Sequence, residues 1–168
     1  MAVQPLQAGG RRRFAAIDKE TLRSQLALNR QHIAQADTNI RTAMGHRNET
    51  VAQALADRVA VAAIAEAAGV KKVDVRRRLG LGYADLAPLG WRTASHLSAI
   101  RSASQTLAAA IDRKSELEAR RRSLTVMALK SNQLDLFEIA SLAAIPVEII
   151  RSEMRGITLR SVRLTQQG

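Results

Sequence analysis

The 168 residues are 46% hydrophobic but only 2% aromatic, so Ala, Leu, Ile and Val carry the apolar content, which suits close-packed helices and argues against a sheet. Twenty-six Lys and Arg against fifteen Asp and Glu leave a formal charge of +11, a field that attracts polyanions without separating DNA from RNA, anionic lipid or an acidic protein. The lack of cysteine excludes disulfides and thiolate metal sites, and no apolar run reaches the roughly 20 residues of a membrane span.

Residues 1–13 hold a Pro, a Gly pair and then Arg11, Arg12 and Arg13 without apolar periodicity, and are expected to be a flexible basic tail. The three arginines are either an arm for phosphates or a minor groove, or a solvated tail that aids solubility. From Asp18, an expected N-cap, Leu22, Leu26, Ile33, Ala36, Ile40 and Ala43 recur in steps of three and four with Asn29 in the same row. That spacing predicts a long helix packed on another, with Asn29 either setting register or facing a wet edge. Gly45 and His46 suggest a break before a second run from about Asn48 to Arg58, followed by two short helices. Residues 14–80 form the first expected unit.

Residues 81–92 are expected to be a packed linker, since the stretch from Gly80 to Gly90 combines three glycines and Pro88 with Leu81, Tyr83, Leu86 and Leu89, and Trp91 follows. From Thr93 or Ser95 to about Lys130 there is neither Gly nor Pro. Leu97, Ile100, Leu107, Ile111, Leu117 or Glu118, and Leu124 mark a second seam there. A helix of that extent spans on the order of 55 Å. Residues 93–168 form the second unit.

An offset of 74 to 75 positions pairs Ala54-Leu55 with Ala128-Leu129, Ile64-Ala65 with Ile139-Ala140, Val75-Arg76 with Ile150-Arg151, and Leu79 with Met154. Identities are few, and what corresponds is the order long helix, short helix, short helix with one burial pattern. The expected fold is therefore all-α, in two pseudo-repeated units that stand in for a symmetric dimer, paired within one chain or between two.

The stretch Val61 to Leu79, VAAIAEAAGVKKVDVRRRL, places Ile64 and Ala65 in a first short helix, Ala68 and Gly69 at a turn, and Val70, Val75 and Leu79 on the inner side of a second. This pattern resembles the bihelical motif of the helix-turn-helix DNA-binding superfamily. A small Ala65 permits close helix approach, and Gly69 suits a positive φ. The resemblance implies that Lys71, Lys72, Asp74, Arg76, Arg77 and Arg78 lie on the outer side of a recognition helix. Arg76 and Arg77 are expected to contact bases in the major groove, and Lys71, Lys72 and Arg78 to contact phosphates. Asp74 either accepts from a cytosine or balances the neighbouring arginines. The plain alternative is an Ala-rich hairpin whose basic last turn complements the helix dipole.

The second copy, Leu136 to Arg155, places Ile139, Ala140, Ala143, Ile145, Ile150 and Met154 at the same burial positions, with Ala144 in place of the turn glycine. Asp135 and Glu138 are spaced as a capping box, and Pro146 suits the opening of the next helix. Glu148, Arg151, Ser152, Glu153 and Arg155 face outward and nearly cancel in charge, so this copy either reads DNA through Arg151 and Arg155 or serves packing or dimerisation. Beyond it, Arg160 and Arg163 sit in an alternating run, Ile157, Leu159, Val162 and Leu164, which is either a phosphate-touching extension or a strap over the core.

His32, His46 and His96 are isolated, no phosphate-binding glycine loop is present, and no nucleophile, base and acid fall into a motif, so no enzyme, metal or cofactor is expected. The resemblance implies a sequence-specific double-stranded DNA-binding protein, a transcriptional regulator or repressor of bacterial or phage type. The start of the chain lacks a secretory hydrophobic region, and the expected location is cytoplasmic, on the nucleoid. The competing readings are an architectural nucleoid protein without base preference, and a helical assembly or adaptor protein for phage packaging or polymerase binding. Few rings are available for stacking on single strands.

Overall fold

The computed structural model describes residues 18–80, 82, 85–152 and 155, and every regular element among them is helical. The long helix α1 spans Lys19–Ala56 and is followed by α2, Val61–Ala68. The short α3, Lys72–Asp74, continues directly into a π-turn, Val75–Leu79. The second long helix, α4, spans Thr93–Ser131, and α5 spans Leu136–Ala143. A last helical stretch covers 147–152. Among the described residues, no helix is long and apolar enough to cross a membrane.

Asp18 caps α1 as its sequence position predicts. Its Oδ1 accepts from the Thr21 backbone N–H at 2.9 Å and its Oδ2 from the Thr21 hydroxyl at 2.7 Å, and chiefly the first bond holds the carboxyl below its ordinary range. The break expected at Gly45 and His46 does not occur: α1 runs through both. A mid-helix glycine costs roughly 0.5–1 kcal/mol relative to alanine, and burial of Ala43, Val51 and Ala54 on either side outweighs it. Both long helices end on a left-handed residue, Arg58 (φ 59°) after α1 and Asn132 (φ 54°) after α4. After α1, Val59 N–H reaches back to Ala54 O at 2.9 Å, closing the helix end.

The described chain separates into two compact units. One takes the chain up to Ala27 and again from Ser123 onward; the other is Leu28–Arg122. Within the Leu28–Arg122 unit, α1 and α4 pack antiparallel. Asn29 Nδ2 donates to Leu117 O at 3.1 Å, Lys114 Nζ lies 2.7 Å from Asp37 Oδ1, and His96 meets Asp57, so one helix rises in number as the other falls. Ile33, Ala36 and Leu117 form a small cluster along this seam.

The main core of that unit gathers the end of α1 (Val51, Ala54), the start of α4 (Ile100, half-buried Leu97) and the two short helices (Ile64, Ala65, Ala68, Val75, Leu79). The other unit has a core of its own. The end of α4 (Leu124, Ala128), the start of α1 (Leu22, Leu26), α5 (Ile139, Ala143) and Ile150 share one core. Each of these two cores therefore draws residues from both long helices. Fully buried side chains of this size contribute about 1.5–3 kcal/mol each, which is what holds such short helices in place.

The α1 seam matches its predicted residues except that Ile40 is only half-buried. On α4 the inward row differs: Ile111 is exposed and Leu97 half-buried, while His96 and Ala103 are buried and Leu117, not Glu118, faces in. Periodicity misplaced these because it weights large apolar residues and passes over a histidine.

Candidate nucleic-acid interface

The basic helix hangs on a tight turn. α2 buries Ile64, Ala65 and Ala68, and Gly69 follows in the left-handed region (φ 67°, ψ 34°). Val70 N–H bonds Ala65 O at 3.0 Å and Gly69 N–H bonds Glu66 O at 3.2 Å, which satisfies the last carbonyls of α2. Lys71 is extended and opens α3. Val75 and Leu79 then enter the core at 0% and 5% exposure, leaving Lys71, Lys72, Arg76, Arg77 and Arg78 exposed to solvent.

Two features set this segment apart from a plain α-helix. The last five residues form a π-turn closed by Gly80 N–H to Val75 O at 3.0 Å, so Arg76, Arg77 and Arg78 are spread over a wider turn than an α-helix provides. Gly80 lies close to α1, since a Cβ there would sit 2.9 Å from Leu55 Cδ1. Asp74 is half-buried and pairs with Arg78, Oδ1 to Nε at 3.4 Å. Sequence reasoning passed over Val73. It is half-exposed between Lys72 and Asp74, where helical periodicity alone would have left it unremarked.

The turn after α5 is also left-handed but has no glycine. Ala144 adopts φ 51° and ψ 50°, and Ile145 N–H bonds Ala140 O at 3.1 Å, so an alanine holds this turn at the cost of Cβ strain. Asp135 Oδ1 accepts from Glu138 N–H at 2.8 Å, one half of the expected capping box; the Glu138 carboxylate turns instead to Arg23 at the start of α1. Pro146 O accepts from Ile149 and Ile150 N–H at 3.0 and 3.3 Å, at the opening of the stretch 147–152. Ile139 and Ile150 are fully buried, and Ala140 and Ile145 are half-buried. Glu148, Arg151, Ser152 and Arg155 are exposed, together with Phe137 at 70% and Ile149 at 49%. Arg11, Arg12, Arg13, Glu153, Met154, Arg160 and Arg163 lie outside the described residues.

His32 and His46 are exposed, whereas His96 is buried and bound to Asp57. Asp57 Oδ1 accepts from Gly90 N–H at 3.2 Å and its Oδ2 from Trp91 N–H at 3.1 Å, tying the segment before α4 to the end of α1. Gln53 Nε2 adds a bond to Ala87 O at 2.9 Å, while the Leu89 and Trp91 side chains are half-exposed. Burial pushes the Asp57 carboxyl up, but the His96 bond and the backbone N–H groups outweigh it and hold it below its ordinary value. Among the described residues, no group of three or more metal-ligating side chains is gathered. Comparison with protein-family models, with curated proteins and with solved structures found no match.

Proposed function

We propose that this protein binds double-stranded DNA sequence-specifically through the turn and basic helix from Gly69 to Leu79, as a transcriptional regulator or repressor without catalytic activity. The observation that carries the reading is the division of that helix. Val75 and Leu79 anchor it in the core while five of its cations, Lys71, Lys72, Arg76, Arg77 and Arg78, face solvent. A short helix held from below and cationic above fits a major groove, where Arg reads guanine and Lys engages phosphate. Exposed Val73 would suit a thymine methyl group, and the Asp74 pair would orient Arg78 toward the backbone rather than a base.

The chain is read as a tandem duplication in which the second copy has diverged. Supporting this, left-handed residues recur at Arg58 and Asn132 and at Gly69 and Ala144, and full burial recurs at Ile64 and Ile139 and at Val75 and Ile150. In the second copy Ile149 stands where the first has Asp74, and the exposed cations are opposed by Glu148. Its contribution to DNA binding is accordingly the smaller one, and Arg151 and Arg155 act mainly on the phosphate backbone.

Selection of duplexes from a random library at near-physiological salt, followed by sequencing, tests the reading. A defined motif is the expected result, and an asymmetric one if both copies engage. Recovery of duplexes without a motif would replace this reading by an architectural one, with steep salt dependence and no base preference; no recovery would favour an adaptor role.

A further inference from the structure

Beside the Asp57 and His96 pair, a cleft of about 280 Å³ opens between the last third of α1, the first turns of α4 and the segment before α4. The volume is at the small end of the roughly 300–1,000 Å³ usual for ligand pockets. Its lining is chemically unlike the rest of the chain. Among the described residues, no Lys or Arg lines it. The groups it offers are the Glu49 carboxylate, the His46 ring, the Thr50 hydroxyl and the Gln53 amide, with Trp91 and Leu89 as an apolar wall.

The hydrogen-bond inventory narrows the ligand class. Thr50 has donated its proton to His46 O at 2.8 Å, and the Gln53 amide nitrogen is held by Ala87 O. Thr50 is left with acceptor lone pairs, and Gln53 offers its carbonyl oxygen as an acceptor beside one remaining amide N–H. Among the described residues, neither an ion pair nor a hydrogen bond engages the Glu49 carboxylate. Trp91, the only tryptophan, lies against His96 with ring centroids 5.3 Å apart, and the residue is still 53% exposed. An uncommitted carboxylate, acceptor lone pairs and an indole face together suit a donor with positive charge and a compact apolar body. Anions are disfavoured by Glu49, and a neutral hydrocarbon would leave the acceptors unused.

We propose that this cleft is a binding site for a small organic cation, a primary amine on a compact aromatic or alkyl body, with Glu49 as its counter-ion and Trp91 as its apolar and π platform. The site is independent of DNA reading by the basic helix. Its lining residues lie on α1, on α4 and on the segment before α4, and the two long helices also supply the core of the Leu28–Arg122 unit.

Because Trp91 is the sole tryptophan, its fluorescence reports directly on the cleft. The full chain would be titrated with benzylamine and n-hexylamine, and with benzyl alcohol and benzoate as neutral and anionic controls, to about 10 mM, weak enough to detect a contact worth only a few kcal/mol. The expected result is a saturable change with the amines, at least tenfold weaker binding of benzyl alcohol and none of benzoate. Glu49→Gln, at an exposed position that spares the fold, should weaken the amines at least tenfold, about 1.4 kcal/mol. No saturable response to either amine, equal binding of benzyl alcohol, or unchanged amine affinity in Glu49→Gln would each overturn the proposal.

Discussion

His96 Nε2 lies 2.6 Å from Asp57 Oδ2, and both side chains are closed to solvent at 1% and 3% exposure. This pair, 39 positions apart, joins the end of α1 to the first turn of α4, and the same carboxylate receives the backbone N–H groups of Gly90 and Trp91. One carboxylate thereby sets how the chain enters its second long helix.

A pH dependence follows from that carboxylate. The folded Asp57 carboxyl is held below its ordinary value of 3.8, so the folded state binds fewer protons than the unfolded one as pH falls past that value. The stabilisation is full above the ordinary value and is lost as pH drops through the depressed folded value. Asp57→Asn should lower the urea midpoint at neutral pH, and the gap from the parent should narrow in acid below the ordinary carboxylate range. A gap that stays constant down to strong acid would show that Asp57 contributes through shape rather than charge.

The two helix-ending turns give substitutions of opposite sign. At Gly69 a Cβ would meet no atom within 4 Å, so Gly69→Ala should destabilise by roughly 0.5–1 kcal/mol, the left-handed backbone cost less the reduced freedom of the unfolded chain. Ala144 already bears that cost, and Ala144→Gly should stabilise by roughly 0.5–1 kcal/mol once the added freedom of the unfolded chain is subtracted. Denaturant midpoints of the two variants should move apart from the parent in opposite directions; movement in the same direction would contradict the turn geometry.

In the seam, Asn29 is 3% exposed and donates to Leu117 O. Asn29→Asp keeps the shape, removes the donor and sets a carboxylate against a carbonyl oxygen. The expected loss is about 2–3 kcal/mol at neutral pH, recovered in part in acid where the carboxyl is protonated and can donate. Urea unfolding at neutral and acid pH checks this, and a neutral-pH stability equal to the parent's would mean that the seam is wet at Asn29.

For the basic helix, Arg76→Ala and Arg77→Ala should each weaken binding to a selected duplex by about 1–3 kcal/mol and relax base preference at the positions they contact. Lys72→Ala should weaken all duplexes alike and reduce the salt slope by about one, and Arg151→Ala should have the smallest effect. All four side chains are exposed, so the fold is spared and the change can be read by fluorescence anisotropy. Equal affinity of the Arg76→Ala, Arg77→Ala double variant and the parent would remove this helix from the interface.

Much of this architecture was legible in the amino-acid order because its causes are local. Steps of three and four from Leu22 to Ala43 place a seam, an aspartate before Lys19 and another before Leu136 cap helices, and Ile64, Val75, Ile139 and Ile150 are buried where their spacing puts them. The left-handed turn at Gly69 was legible for the same reason, since glycine alone enters that region freely.

What only the tertiary structure decided depends on residues far apart in sequence. Gly45 stays helical because packing on both sides outweighs its propensity, and the π-turn at Val75–Leu79 forms where Gly80 comes close to Leu55. His96, isolated in the amino-acid order, has its partner only because the fold brings Asp57 to it. The composition of each core was decided in the same way, by the start of one long helix lying on the end of the other: Ile100 joins Val51 and Val75, and Leu22 joins Leu124 and Ile150. Periodicity reports which face of a helix is buried, because that follows from 100° per residue along one chain; it carries no term for the partner that covers the face, which is chosen by the free energy of burying both surfaces at once.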